Sequence, residues 1–119
     1  MQWWFVSLPP VPAQATEMET YYPPNGRERE THFKIDRVAQ DVQSFYQTAL
    51  PNAGWHYYCT VQAHNRCAHM RNLSDAAIID VYYKTGAEAT DEQRIEVLIM
   101  NDDVTAVVGK RPVLIYEQR

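Results

Sequence analysis

A single helical segment set among strand-like stretches is the feature that most constrains the fold of this chain. Apolar residues recur in it at the three- and four-residue spacing of an amphipathic helix: Val38, Val42, Phe45 and Ala49, widened by Ala39, Tyr46 and Leu50. The spacing predicts a helix over about residues 37–50. Asp36 is placed to cap its first turn, and Pro51 should end it, because the residue before a proline avoids the helical region. Gly54 can then adopt the positive φ that the return to a strand requires.

The other periodic segments are β-like. Before the helix, Phe33 and Ile35 alternate with Lys34, which predicts a strand. After it, aromatic and β-branched runs predict strands at 55–61, 67–73, 77–83, 94–100, 104–108 and 113–116, with a loop at 85–93 and a turn at 101–103. This order predicts an α+β domain: a strand, a helix, then an antiparallel meander, with one helix packed across a mainly antiparallel sheet.

Prolines divide the chain into an arm and a body. Five of the seven prolines fall within the first 24 residues: Pro9, Pro10, Pro12, Pro23 and Pro24. Proline fixes φ and lacks an N–H donor, so residues 8–24 are expected to be extended rather than helical or sheet-forming. A chain of 119 residues has room for one domain. We therefore expect residues 1–27 to form an extended Pro-rich N-terminal arm and residues 28–119 to form the single α+β domain.

Charge and hydropathy exclude two classes of protein. Eleven basic residues against fifteen acidic ones give a net charge of −4, and no basic run exceeds two residues. A protein that tracks nucleic-acid phosphates needs clustered Lys and Arg, so no nucleic-acid partner is expected. No stretch of eighteen apolar residues occurs, so no helix should span a bilayer.

The arm carries aromatic residues that are suited to contact a partner. Trp3, Trp4 and Phe5 form a cluster near the start, and Tyr21 and Tyr22 form a second pair. Aromatic anchors are enriched both at protein interfaces and at membrane interfaces, and the alternative is that these rings fold back onto the core of the chain itself. The six-residue apolar run 3–8 has no preceding basic residue, so we do not expect a complete signal peptide, although residues 13–15 have the small-x-small form of a cleavage site.

The two cysteines leave three interpretations open. Cys59 and Cys67 should flank a turn between two strands, where facing Cβ atoms come close enough for a disulfide. A disulfide is the favoured interpretation, and it would imply an oxidising compartment. The alternatives are two free thiols or a metal site formed with His64 and His69, whose spacing matches no known zinc motif.

No arrangement of residues predicts catalysis. Ser7, Ser44 and Ser74 lie outside any nucleophile motif, and no glycine-rich cofactor loop or calcium loop is present. We therefore expect a protein that is not an enzyme and that has no catalytic residue, metal or cofactor. A second hypothesis is a small-ligand or carbohydrate-binding domain that uses strand tyrosines as a stacking platform: Tyr57, Tyr58, Tyr82 and Tyr83.

The segment from Phe45 to Trp55 resembles a Phe-Tyr-x3-Leu-Pro-x2-Gly-Trp pattern found in small α+β domains of bacterial secreted and membrane-anchored proteins. The resemblance extends over about residues 28–119, but its specific part is this segment. It implies a non-enzymatic module in the periplasm or at the cell surface, peripheral to or anchored at the membrane. Together with the aromatic arm, it predicts an accessory subunit that docks through the arm on other protein subunits of a larger membrane-associated assembly.

Overall fold

The computed structural model describes residues 7–62, 77–84, 93–100 and 110–118. Its regular elements are β1 (Thr16–Tyr21), β2 (Glu28–Ile35), α1 (Ala39–Asn52), β3 (His56–Val61), β4 (Ala77–Tyr83), β5 (Arg94–Met100) and β6 (Arg111–Gln118). The predicted strands at 67–73 and 104–108, the turn at 101–103 and most of the loop at 85–93 lie outside the described residues.

The described strands form one antiparallel sheet in the order β1-β2-β6-β5-β4-β3. β3 to β6 follow one another as a meander, and β2 pairs with β6, the last strand of the chain. α1 connects β2 to β3, which lies four places away in the sheet. The predicted α+β class, with one helix packed across an antiparallel sheet, is therefore confirmed.

Strand register separates the sheet into two faces. Residues that pair directly across antiparallel strands point to the same side. The buried row Phe33, Val113 and Ile99 lies on the side that α1 covers, which we call the helix face. The row His32, Leu114 and Leu98 lies on the opposite side, which we call the distal face.

The beginning of α1 differs from the prediction. The helix begins at Ala39, and Val38 rather than Asp36 is its N-cap residue. Val38 is extended, with φ −68° and ψ 156°, and makes no capping bond through its side chain. Packing explains the difference, because Ala39 is buried against the core while Asp36 and Val38 are exposed. The prediction of an Asp36 cap is wrong.

The end of α1 lies two residues beyond the predicted one, at Asn52, so Pro51 is inside the last helical turn. The helix is closed by backbone bonds from Ala53 N–H to the Ala49 and Leu50 carbonyls, and by one from Trp55 N–H to the Leu50 carbonyl. Burial of Leu50 favours this geometry despite the proline that follows it. Gly54 has φ +94°, which confirms the predicted positive φ at the return to β3.

The main core lies between α1 and the helix face. The buried residues of α1 are Ala39, Val42, Tyr46 and Leu50, whereas Val38 is 51% exposed and Phe45 and Ala49 are half-buried. The buried face of the helix is thus rotated away from Val38, Phe45 and Ala49, on which the prediction centred it, toward Tyr46. Its partners on the sheet are Phe33, Ile35, Tyr82, Ile95, Val97, Ile99, Val113 and Ile115.

One helix cannot cover the helix face, and the arm covers part of the remainder. Six strands extend roughly 24 Å across, whereas a helix with its side chains is about 10–12 Å wide. α1 lies against β3 and β5. In the arm, Pro9 and Pro12 are buried, and Val11 and Ala15 pack against the main core.

The arm also contributes a strand to the sheet. Thr16–Tyr21 pairs with β2 as β1, so the prediction that residues 8–24 stay out of the sheet is wrong for this segment. The flanking positions explain why, because the prolines lie before Thr16 and after Tyr21 and remove no donor from the strand itself.

A smaller cluster occupies the distal face near β3 and β4. Val61, Ile79 and Val81 are buried there, and Cys59, Tyr83 and Leu98 pack against them. Across the described residues, α1 is the longest helix, and neither its length nor its apolar content suffices to cross a bilayer.

Candidate functional site

A buried ion pair fastens the arm to the sheet. Arg29 of β2 donates from Nε and Nη2 to the two carboxylate oxygens of Glu117 of β6, at 2.7 and 2.9 Å. A further bond runs from Nη2 to the backbone carbonyl oxygen of Ser7, at 2.8 Å. Arg29 is 0% exposed and Glu117 6% exposed, so the pair is shielded from solvent and its bond to Ser7 fixes the arm at a defined point.

The electrostatics of the pair favour the charged state of Arg29. Burial lowers the pKa of Arg29, but the hydrogen bond and the negative charge of Glu117 outweigh it, so the pKa of Arg29 is raised overall. Tyr22 adds a smaller contribution in the same direction. The guanidinium is therefore charged at neutral pH.

A second bond holds the arm three residues further along. The hydroxyl of Tyr46 in α1 donates to the carbonyl oxygen of Pro10 at 2.8 Å. Tyr46 is 0% exposed, and burial raises the pKa of its phenol well above the ordinary value, so the hydroxyl remains a donor. Phe45 supports the ring edge-to-face at 4.9 Å between centroids. The arm is thus tied to both the sheet and the helix.

The predicted partner contacts divide between described and undescribed parts of the chain. Tyr21 and Tyr22 are 54% and 49% exposed, so both rings are accessible from solvent. Trp3, Trp4 and Phe5 lie outside the described residues. The role of all five in contacting a partner stays a prediction.

A polar cluster that the sequence did not reveal lies beneath α1. Asp80 of β4 is 0% exposed and accepts a hydrogen bond from the Thr60 hydroxyl at 2.6 Å. The Gln43 amide of α1 lies 3.4 Å from both carboxylate oxygens. Thr60 in turn lies 2.6 Å from the hydroxyl of Tyr57, which is 53% exposed. A chain of hydroxyl groups therefore connects the surface to a buried carboxyl.

The environment of Asp80 favours a neutral carboxyl. Burial raises the pKa of Asp80, and the bonds from Thr60 and Gln43 offset only part of this effect. Nearby, the buried hydroxyl of Tyr82 has no hydrogen-bond partner among the described residues. Asp80 can hold or release a proton, but full burial prevents direct contact with a substrate.

The four tyrosines of the ligand-binding hypothesis do not share a surface. Tyr57 and Tyr82 meet edge-to-face at 5.6 Å, and Tyr58 and Tyr83 meet likewise at 5.2 Å. Tyr82 is fully buried, and Tyr83 is half-buried. Tyr82 and Tyr83 are successive residues of β4 and point to opposite faces of the sheet, which separates the two pairs. Each exposed ring thus presents a single edge-packed phenol rather than part of a continuous stacking platform.

The cysteine and metal predictions depend on residues that the structure does not describe. Cys59 is half-buried in β3, opposite Val81, whereas Cys67, His64 and His69 lie outside the described residues. The Cys59–Cys67 disulfide therefore stays a prediction. Among the His, Cys, Asp and Glu side chains that the structure describes, no group of three is arranged to hold a metal ion.

Arg29, Glu117 and Asp80 are the polar residues that sequence reasoning missed. A signal was available for two of them, since Arg29 precedes Thr31 and Phe33 on the buried side of an alternating strand, and Asp80 interrupts an apolar run. Comparison with protein-family models, curated proteins and solved structures finds no match to this chain. The resemblance carried by Phe45–Trp55 therefore stays a prediction.

Proposed function

We propose that this protein is a non-catalytic accessory subunit of the periplasm or cell surface that docks through its N-terminal arm on a larger, membrane-associated assembly. The observation that carries the proposal is the bond from Arg29 to the Ser7 carbonyl. It ties Ser7, two residues after Phe5, to a buried ion pair of the sheet.

This attachment limits where the aromatic cluster can lie. Trp3 is four residues from Ser7, and an extended chain of that length reaches at most roughly 14 Å. A partner that binds the cluster therefore binds within roughly 14 Å of Ser7.

Exposed apolar side chains adjoin the point of attachment. Leu8, next to Ser7, is 43% exposed, and Tyr22, whose side chain acts on Arg29, is 49% exposed. Clustered aromatic and aliphatic side chains at a fixed position are the usual anchors of protein interfaces. The proposed docking surface thus combines Leu8 and Tyr22 with Trp3, Trp4 and Phe5.

The test compares three tagged full-length chains in cells that produce the protein: wild type, the Trp3→Ala/Trp4→Ala/Phe5→Ala triple variant, and Val38→Ala. Val38 is an apolar residue on α1 that is 51% exposed, and it serves as the control. After mild detergent extraction and size-exclusion chromatography, wild type and Val38→Ala should elute with a large complex. The triple variant should elute at the position of the isolated chain.

Two results would count against the proposal. Elution of the wild type as an isolated chain would exclude stable docking, and an unchanged profile for the triple variant would exclude the arm as the docking element. Sedimentation with phospholipid vesicles distinguishes a lipid surface from a protein partner. Binding of the purified chain to protein-free vesicles would show that the arm binds the membrane directly and not a protein subunit.

A further inference from the structure

A groove crosses the distal face of the sheet, well away from the arm attachment. It has a volume of about 390 Å³, which accommodates one or two side chains of a bound segment. Its floor is apolar and half-buried, and it is formed by Leu98 and Met100 of β5 and Leu114 of β6. The groove spans four adjacent strands, from β1 to β5, a width of roughly 14 Å.

The rim of the groove is acidic on the side of β1. Glu17 and Glu19 line it there, opposite His32 and Lys34 of β2. Lys34 Nζ lies 3.8 Å from a carboxylate oxygen of Glu17, and His32 Nε2 lies 3.0 Å from Glu30. Glu19 makes no ion pair with another side chain that the structure describes. Lys110 Nζ also lies here, 3.1 Å from the Thr16 hydroxyl oxygen, so two lysines accompany the three carboxylates of Glu17, Glu19 and Glu30. One carboxylate remains in excess on this side of the groove.

A β-bulge brings these carboxylates to the groove. Thr16 pairs with Lys34 and Glu19 with His32, so β1 has two residues where β2 has one. An uninterrupted strand would place Met18 and Thr20 on the side of Thr16, whereas the extra residue places Glu19 and Tyr21 there instead.

The bulge has a conformational cost at its first residue. Glu17 adopts φ +56°. Among the described residues other than glycine, no other residue has a positive φ. A side chain in this region costs on the order of 1–2 kcal/mol relative to ordinary backbone. A strained residue that delivers a carboxylate to the rim of an apolar groove is typical of a binding surface.

We propose that this groove binds an extended protein segment in which an apolar side chain is flanked by lysine or arginine. The apolar side chain covers Leu98, Met100 and Leu114, and the neighbouring cation pairs with Glu19 and Glu17. Although β1 of the arm supplies its acidic rim, the groove is separate from the attachment of the arm at Ser7 and Pro10, since it lies on the opposite face of the sheet from Ser7 and Tyr46. It gives the protein a second contact surface that does not require the aromatic cluster.

The probe is an acetylated, amidated pentapeptide with leucine between two lysines and glycine at each end, titrated into the ¹⁵N-labelled full chain by NMR. Saturable shifts are expected at the backbone amides of Glu19, His32 and Leu114. Binding should weaken as salt is raised from 50 to about 300 mM, because the contacts at the rim are exposed. Two comparison peptides carry glutamates for lysines or serine for leucine, and both should bind less tightly.

Three variants separate the parts of the site. Glu17→Gln/Glu19→Gln removes the rim charge and should weaken binding of the lysine peptide roughly two- to twenty-fold, as expected for two exposed ion pairs. Met100→Gln makes the floor of the groove polar at nearly constant side-chain volume, and it should also weaken binding of the lysine peptide. Asp41→Asn removes one charge from α1 on the other side of the sheet and is the control, with wild-type affinity expected.

The proposal is overturned if the lysine and glutamate peptides bind equally, or if the Glu17→Gln/Glu19→Gln variant keeps wild-type affinity. Absence of saturable shifts with the lysine peptide at millimolar concentration also overturns it. Unchanged amide spectra outside the groove show that each variant is folded, so a loss of binding cannot be attributed to unfolding.

Discussion

The buried pair of Arg29 and Glu117 leads to the sharpest prediction about stability. Replacing Arg29 by Met leaves the Glu117 carboxylate, 6% exposed, without its counter-ion, and it removes the donor to the Ser7 carbonyl. Loss of one partner of a buried ion pair costs about 3–5 kcal/mol. That is a large fraction of the 5–15 kcal/mol that ordinarily stabilises a small domain.

The same reasoning predicts recovery in the double variant. Arg29→Met/Glu117→Met leaves no buried charge, and an apolar replacement of similar volume is often close to neutral. The Ser7 carbonyl still lacks its donor, which costs about 1 kcal/mol. We therefore expect the double variant to be within about 2 kcal/mol of the wild type, and more stable than Arg29→Met alone.

Urea unfolding of the wild type, Arg29→Met, Glu117→Met and the double variant, followed by tryptophan fluorescence at pH 7, measures these differences as a double-mutant cycle. The expected coupling energy exceeds about 2 kcal/mol. The reasoning is refuted if Arg29→Met costs less than about 1 kcal/mol, or if the double variant loses as much as the two single variants added together. Proteolysis within residues 7–15 provides a second measurement, because the arm should become cleavable in Arg29→Met.

Three further predictions concern individual contacts. Tyr46→Phe removes the bond to Pro10 and should cost about 1 kcal/mol in urea unfolding while increasing cleavage of the arm; equal cleavage in both proteins would contradict the anchoring role. Gly54→Ala forces a side chain into φ +94°, with its Cβ 3.4 Å from Lys84 Nζ, and should lower the free energy of unfolding by more than about 1 kcal/mol, whereas no loss would contradict the strain. Because burial raises the pKa of Asp80, the folded state holds its proton more tightly than the unfolded one, so this residue's contribution to stability falls as pH rises from about 4 through the folded pKa. The stability of Asp80→Asn relative to wild type should therefore increase over that interval in paired denaturation curves, and a constant difference would contradict it.

Local pattern was sufficient for most of the fold. The alternation around Phe33, the helical spacing around Val42 and the positive φ at Gly54 depend on neighbours within a few residues, and the structure agrees with each. Where local signals competed with packing, packing prevailed. Burial of Ala39 and Leu50 set the limits of α1 against the preferences of Asp36 and Pro51.

The contacts of the candidate site could not be predicted from the sequence, because they join residues that are far apart along the chain. Arg29 and Glu117 are 88 residues apart, and Asp80 and Gln43 are 37 apart, so no local period brings either pair together. The acidic rim of the distal groove depends on a bulge that changes which residues of β1 face the groove, and a strand pattern alone does not reveal a bulge.

The sequence by itself thus determined the class of fold and contained no recognisable catalytic motif, since composition and short-range periodicity carry that information. Only the tertiary structure decided that the arm adds a strand and is tied to the sheet through Ser7. The physical reason is the width of the sheet, because a single helix leaves part of the helix face uncovered. In the arm, Pro9 and Pro12 are buried and Val11 packs against the main core.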